Sequence, residues 1–198
     1  MKIVITGTPG VGKHTVAESL SNFLDNASVF DINKIIFSEN LLTISSHDAE
    51  GLEVDTDRTR DHFSLILSEG KSQNSIIVGH LAPYVIDSKL VDLVIILRRS
   101  PYELKKIYDE RSYSPSKTKD NMNAEILGFI SYDSSKTFEF SKLSELINSI
   151  NILPSLSAQK IITMISNEKL RSFGEVDWLS LVQNDPDMLE YLVKSHLN

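Results

Sequence analysis

No cysteine occurs among the 198 residues, which removes disulfides, thiol nucleophiles and thiolate metal ligands from the chemistry open to this chain. Positive charge is also in short supply. Lys and Arg number 20 against 27 Asp and Glu, for a net charge of −7, so the broad basic footprint of a nucleic-acid binder is missing. Direct DNA binding is therefore not expected, and any RNA contact would be local or indirect. No apolar run approaches the roughly 18 residues needed to span a bilayer. The first residues read as a strand rather than a charged region followed by a signal core, which predicts a cytoplasmic location and no membrane partner. No internal repeat or low-complexity tract is visible. His47, His62 and His196 lack ligand-like spacing to a second histidine or carboxylate pair.

What is present begins at once. Lys2-Ile3-Val4-Ile5-Thr6 reads as a buried strand, Gly7-Thr8-Pro9-Gly10-Val11-Gly12-Lys13-His14-Thr15 follows, and a helical apolar pattern comes next. This is the arrangement of a phosphate-binding loop. The free N–H groups of the turn and of the next helix's N-terminus form a concave anion site, and Lys13 reaches the β- and γ-phosphates of a nucleotide. A Cβ at Gly7 or Gly12 would obstruct the turn or the close approach of phosphate oxygens. One position departs from the motif. Ser or Thr normally follows the lysine to ligate Mg²⁺, whereas here that residue is His14 and the hydroxyl comes at Thr15.

With 41% hydrophobic residues, the length suits one buried α/β core, and residues 1–198 are expected to form a single domain. Parallel-strand candidates are Lys2 to Thr6, Ser28 to Ile32, Ser75 to Gly79, Leu90 to Leu97 and Ile147 to Ile152. Between them lie helical patterns. Val16, Ala17, Leu20, Phe23 and Leu24 form one stripe at 3.6-residue spacing. A second helix starts near residue 57, turns Phe63, Ile66 and Leu67 inward, and stops at Gly70, which suits a left-handed cap. Ser100-Pro101-Tyr102-Glu103 reads as a capping box with proline at the first helical position. The alternation predicts a doubly wound parallel sheet with ligands at the carboxyl ends of its strands.

A second block extends from Val91 to Gly128. Val91-Asp92-Leu93-Val94-Ile95-Ile96-Leu97-Arg98, Pro101, Leu104, Glu110-Arg111-Ser112-Tyr113-Ser114, Lys117, Asn121 and Ala124-Glu125-Ile126-Leu127 are similar to the adenylate kinase isoenzyme 6 family, which includes small archaeal nucleotide kinases. The resemblance takes in Gly7 to Lys13, Val54-Asp55 with Asp57 and Arg58, Gly79-His80-Leu81 and Gly174-Glu175-Val176-Asp177-Trp178-Leu179, covering residues 1 to about 180. The Arg-x-Tyr-Ser segment followed by Asn-x-x-Ala-Glu-Ile is its most selective part. The resemblance implies a nucleoside-monophosphate-kinase-like P-loop fold: a five-stranded parallel sheet in the order 2-3-1-4-5, helices on both faces, and a short lid over about 111–121. It also implies phosphoryl transfer from ATP to AMP, an associated ATPase activity, and a role in small ribosomal subunit maturation with a ribosomal protein as partner.

Phosphoryl transfer needs a backbone cradle, cations on the moving charge and a water-excluding lid. Arg98, at the end of the fourth strand, is a candidate nucleotide contact. Arg111 and Lys117 flank the polar segment Ser112 to Ser116 between two helices. A guanidinium arriving with a lid could bridge donor and acceptor phosphates bidentately, which a lysine point charge does less well; alternatively, Arg111 is a solvated charge at a helix C-terminus. Asn121 and Glu125, four apart, read as partners of lid arginines or as an exposed polar stripe. Asp31 ends the second strand, placed to orient Mg²⁺-bound water or the acceptor, to cap the next helix, or both. His80, after the third strand, corresponds to a histidine that the family places near the transferred phosphate. Trp178 reads as a packing anchor.

Three positions depart from the family pattern. Val78 stands where a carboxylate is often found, Phe37 where some members carry an arginine, and Ser112 where the lid usually has glycine. Mg²⁺ is accordingly expected to be held by phosphates and water, with Asp31 the nearest carboxylate. Two classes remain open, a nucleotide kinase and a nucleotide-dependent assembly factor; a kinase of another small acceptor is a third. The stretch from about 180 to 198, with a helix expected from Asp185-Pro186 through Leu189, Leu192 and Val193, is either a partner surface or part of the core.

Overall fold

A computed structural model describes residues 1–44, 52–70 and 72–193. In chain order the elements are β1 (Lys2–Thr6), α1 (Lys13–Ser21), β2 (Ala27–Asp31), α2 (Ile32–Ser38), β3 (Leu42–Ile44), β4 (Leu52–Val54), α3 (Thr56–Glu69), β5 (Asn74–Val78) and α4 (Ala82–Val85). There follow β6 (Leu93–Arg98), α5 (Pro101–Glu110), α6 (Pro115–Ile126), α7 (Phe129–Thr137), β7 (Leu143–Ile147), α8 (Pro154–Ser166), α9 (Trp178–Val182) and α10 (Pro186–Val193). Five strands pair in parallel in the spatial order β2-β5-β1-β6-β7. Counted among themselves in chain order they run 2-3-1-4-5, the order expected for a P-loop kinase. The small antiparallel pair β3 and β4 was not anticipated.

The central strands β1, β5 and β6 carry continuous apolar runs because both faces of the sheet are covered there. Alternation along each strand sorts the side chains into two cores. Ile3, Ile5, Ile76, Val78, Leu93, Ile95 and Leu97 pack with Val16, Ala17 and Leu20 of α1 on one face. Val4, Ile77, Val94 and Ile96 pack with Ile32 and Ile36 of α2 and Phe63 and Leu67 of α3 on the other. Val78 is fully enclosed in the first core, so a carboxylate introduced there would be a buried charge.

Three local expectations are corrected. The fifth strand is Leu143–Ile147, not Ile147 to Ile152. Its Ser144 and Glu145 are polar yet buried, and their partners, Ser172 O and Arg98, lie far away in the chain. Gly70 is not a left-handed cap: its φ of −58° and ψ of 127° are extended, and a Cβ there would meet Ile66 O at 2.8 Å. The capping box at Ser100 does not form. Ser100 makes no side-chain cap bond, and Glu103 instead accepts from Ser149 Oγ at 2.6 Å and Ile150 N at 2.9 Å, tying α5 to the loop after β7.

The C-terminal segment packs on the molecule. Val182 and Met188 enter the α1-side core, Asp185 caps α10 at Met188 N, and its other oxygen accepts from Tyr102 Oη at 2.7 Å. His47 and His196 lie outside the described residues, as do the side chains of Leu192 and Val193. Among the described residues no helix is long and apolar enough to cross a membrane.

Candidate functional site

The loop between β1 and α1 is held in shape from beneath. Gly7 has φ 132°, and a Cβ there would lie 2.3 Å from Leu97 O. Gly12 has φ 95°, and a Cβ would meet Asn148 Nδ2 at 2.6 Å. Both positions thus require glycine for conformation and for space. Gly12 is also the N-cap of α1 and supplies no side-chain acceptor, so the first-turn N–H groups stay available to an anion, with the positive end of the helix behind them. Tyr108 Oη on α5 donates to Pro9 O, and Asn148 Nδ2 donates to Val11 O at 2.8 Å. Val11 itself is fully buried.

Two clefts flank this loop. One, of about 600 Å³, is bounded by Pro9, Lys13 and His14 on one side and by His80, Arg111 and Lys117 on others. The second, of about 360 Å³, lies beside Gly12 and Thr15 and is closed by Arg99, Ile107 and the Asn148–Pro154 loop. Gly10 and Arg111 line both.

Lys13 Nζ donates to Gly7 O at 2.8 Å and Thr8 O at 2.9 Å. Burial pushes its pKa down to about 8; Glu125 pulls against that shift and Arg111 adds to it. Arg111 ends α5 as its C-cap, and its exposed side chain has no hydrogen bond or ion pair among the described residues. The link between α5 and α6 is short. Only residues 111–114 link α5 and α6, so Lys117 and Asn121 sit on a helix rather than a loop. Ser112, in the usual glycine position, adopts φ 52°, the left-handed region that glycine enters without strain. Tyr113 stacks on Tyr108 at 5.3 Å, and Lys117 Nζ lies 4.0 Å from the Tyr113 ring centre.

Arg98 does not face either cleft. It is buried, and its guanidinium is bonded to Glu125 Oε1 (2.9 Å), Glu125 O (2.8 Å), Glu145 Oε1 (2.6 Å) and Ser131 Oγ (3.2 Å). Its neighbour Arg99 reaches the second cleft instead, anchored by Nε to Asn148 O at 2.7 Å. Arg98, the last residue of β6, turns toward α6, α7 and β7, while Arg99, one residue further on, turns to the loop side. Arg99 and Asn148 were missed in the sequence; the Arg98-Arg99 doublet was a signal, but only strand register distinguishes its members. Glu125 and Asn121 are not partners of Arg111. Asn121 Nδ2 bonds Lys117 O at 2.8 Å on its own helix, and Trp178 both packs in the α1-side core and donates from Nε1 to Glu125 at 2.9 Å.

Asp31 caps α2 through Lys34 N at 3.1 Å, and its second oxygen lies 2.8 Å from His14 Nε2. Among the described residues no group of three His, Asp or Glu side chains is gathered as a metal cage. An imidazole stands in the usual hydroxyl position and Val78 is enclosed in the core, so at these two positions the chain offers Mg²⁺ no oxygen donor.

His80 is half-buried in the first cleft, and its pKa is lowered to about 4 by burial and then by the Lys13 charge. Its imidazole is neutral at pH 7 and offers hydrogen bonds, not charge. Since the unfolded chain takes up this proton near pH 6.5 and the folded one only near 4, the associated stability is complete above pH 6.5 and lost as pH falls toward 4. Melting curves across that window should show a shallower acid slope for His80→Asn than for the unaltered protein. Identical slopes would remove His80 as the titrating group.

Residues 3–128 match a family model described as an AAA domain. The "Putative adenylate kinase" of Methanocaldococcus jannaschii is 31% identical over 179 residues, covering 90% of this chain and 93% of its own. The "Adenylate kinase isoenzyme 6 homolog FAP7" of Saccharomyces cerevisiae is 31% identical over 137 residues, 69% of this chain and 68% of that protein. Among solved structures, the shikimate kinase of Bacteroides thetaiotaomicron superposes with a TM-score of 0.55 at 14% identity, over 84% of this chain and 98% of that one; that likeness concerns the fold. Phosphate loop, sheet order and relatives agree: the chain belongs to the adenylate kinase isoenzyme 6 family and is a nucleotide kinase of the P-loop fold.

Proposed function

We propose that the protein is an ATP-dependent phosphotransferase that acts as an adenylate kinase, converting ATP and AMP to two ADP, with an associated ATPase activity. The observation that carries this reading is the pair of clefts sharing Gly10 and Arg111. A donor triphosphate laid along the loop, with its base against Ile150, Ile152 and Pro154 in the second cleft, would direct its terminal phosphate toward the first. There an acceptor nucleotide meets Lys13, His80 and Arg111. Lys13 holds the β- and γ-phosphates, Arg111 bridges donor and acceptor phosphates as charge shifts between them, and neutral His80 orients an oxygen. Gly7 to Thr15 form the cradle. Mg²⁺ enters with the nucleotide, bound by its phosphates and by water; Asp31, already engaged with His14, is the nearest carboxylate. The proposed organisation is one kinase domain over 1–198 with its lid at about 111–121 and a C-terminal extension from about 180.

A second reading has its own observation. Leu179 and Leu181 of α9 and Leu189 of α10 remain exposed on the C-terminal segment, and the yeast relative's name links this family to FAP7. A nucleotide-dependent assembly factor for the small ribosomal subunit, gripping a ribosomal protein there, would use the same loop with little kinase turnover. A coupled assay of ADP formation separates the two. ATP with AMP should yield two ADP per ATP consumed, far faster than ATP alone or ATP with other acceptors. ADP release indifferent to every acceptor would leave the ATPase reading standing and the kinase reading overturned.

A further inference from the structure

Glu125 is buried within α6, with 1% exposure. Its Oε1 accepts from Arg98 Nε at 2.9 Å, from the backbone N–H of Arg99 at 3.0 Å and from Trp178 Nε1 at 2.9 Å, while Oε2 accepts from Thr8 Oγ1 at 2.6 Å. A carboxylate has about four lone-pair sites and no proton to give; three of these donors crowd onto Oε1, and Thr8 Oγ1 reaches Oε2. They arrive from three different segments: the phosphate loop, the end of β6 and the start of α9. The shared Arg98 passes the connection to Glu145, whose Oε2 accepts from Gly174 N at 3.0 Å and Val176 N at 3.4 Å. Two carboxylates around one guanidinium inside a protein are costly to desolvate, and apolar residues of the same volume would serve stability as well. What apolar residues could not do is fix the direction of a hydroxyl.

Thr8 is the joint in this chain of contacts. Its side chain is held by Glu125 and its carbonyl accepts from Lys13 Nζ at 2.9 Å. We propose that Glu125 is a positioning residue for phosphoryl transfer: through Thr8 it sets where Lys13 stands over the phosphates, and because it lies on α6 it keeps the loop in register with the helix that carries Lys117. The proposal rests on the reading of the loop as the nucleotide site. Trp178, the sole tryptophan, donates to the other oxygen of the same carboxylate and reports on it optically.

Glu125→Gln tests the idea without changing volume. Its amide oxygen can still accept from Arg98, Arg99 and Trp178, but its NH₂ then faces Thr8, reversing the direction of that hydrogen bond. Thr8→Val removes the hydroxyl from the other side, and Thr8→Ser retains it. With an ATP analogue and the ADP-forming assay, Glu125→Gln and Thr8→Val should each keep a cooperative melt and bind the analogue within a few-fold. Each should lose turnover by about 10- to 100-fold, the scale of small misplacements of catalytic groups. The double variant should be little worse than either, because both cut one connection, and Thr8→Ser should retain most of the rate. In the unaltered protein, analogue binding should change Trp178 emission, and Glu125→Gln should lose that response. Unchanged turnover in Thr8→Val, or additive losses in the double variant, overturns the proposal. Thr8→Val carries the test alone if Glu125→Gln does not fold. An unaltered protein that binds no nucleotide would refute the site reading itself.

Discussion

Lys13→Ala should leave the fold intact and weaken ATP binding by about 10²- to 10³-fold, the loss of one or two charge-assisted hydrogen bonds at roughly 1.5–3 kcal/mol each. The side chain is buried at the base of the cleft and, among the described residues, is bonded to the loop carbonyls of Gly7 and Thr8 alone. Backbone N–H groups of the loop and of α1 remain in the variant, but they carry partial charges and cannot balance a triphosphate. Calorimetry would measure the loss directly, and unchanged affinity would show that the nucleotide does not use this loop. The same residue sets a pH dependence. With a pKa lowered to about 8 by burial, the free protein loses the ammonium as pH rises through 8, whereas bound phosphate favours the charged form. Affinity of the unaltered protein should therefore fall above pH 8 by up to about tenfold per pH unit, and Lys13→Ala should lack that slope.

Arg111→Ala should act on rate instead. The guanidinium lies between the two clefts with no protein partner among the described residues, so nothing in the fold depends on it. If its charge meets phosphoryl oxygens in transit, truncation should lower kcat by about 10²- to 10³-fold, the scale for one electrostatic stabiliser, while nucleotide affinity changes less than about tenfold. Arg111→Lys should recover only part, since an ammonium does not bridge two phosphates in a planar fork. Steady-state kinetics with both nucleotides varied makes the distinction. A loss confined to KM would place Arg111 in ground-state binding.

The parts that could be read from the chain are those where local chemistry determines local shape. Gly7 to Lys13 announce the loop because Gly7, Gly10 and Gly12 all adopt positive φ, and the continuous apolar runs of β1, β5 and β6 announce a sheet covered on both faces. Pro101 and Pro186 mark true helix starts. What could not be read depends on partners distant in sequence. Glu145 looks like a strand breaker until Arg98 is placed beside it, and Asn148 looks like a loop residue until it is found holding Val11. The exchange of Arg98 for Arg99 is a one-residue matter of register with a complete change of role. Glu125, read as a partner of lid arginines or an exposed stripe, is instead at the centre of the molecule, because its donors come from residues 8, 98, 99 and 178.

The brevity of the 111–114 link bears on how this protein would keep time. Four residues span at most about 14 Å when fully drawn out, and here they are folded back by the left-handed turn at Ser112 and secured by the Tyr108–Tyr113 stack. The same Tyr108 is bonded to Pro9, so the helix that ends in Arg111 is moored to the phosphate loop one turn earlier. Closure over a bound nucleotide, as proposed above, would then need a swing of a few side-chain torsions rather than the passage of a domain-sized arm through water. Motions of that size meet little hydrodynamic drag, and a thickened solvent would slow the cycle mainly where nucleotides diffuse in and out.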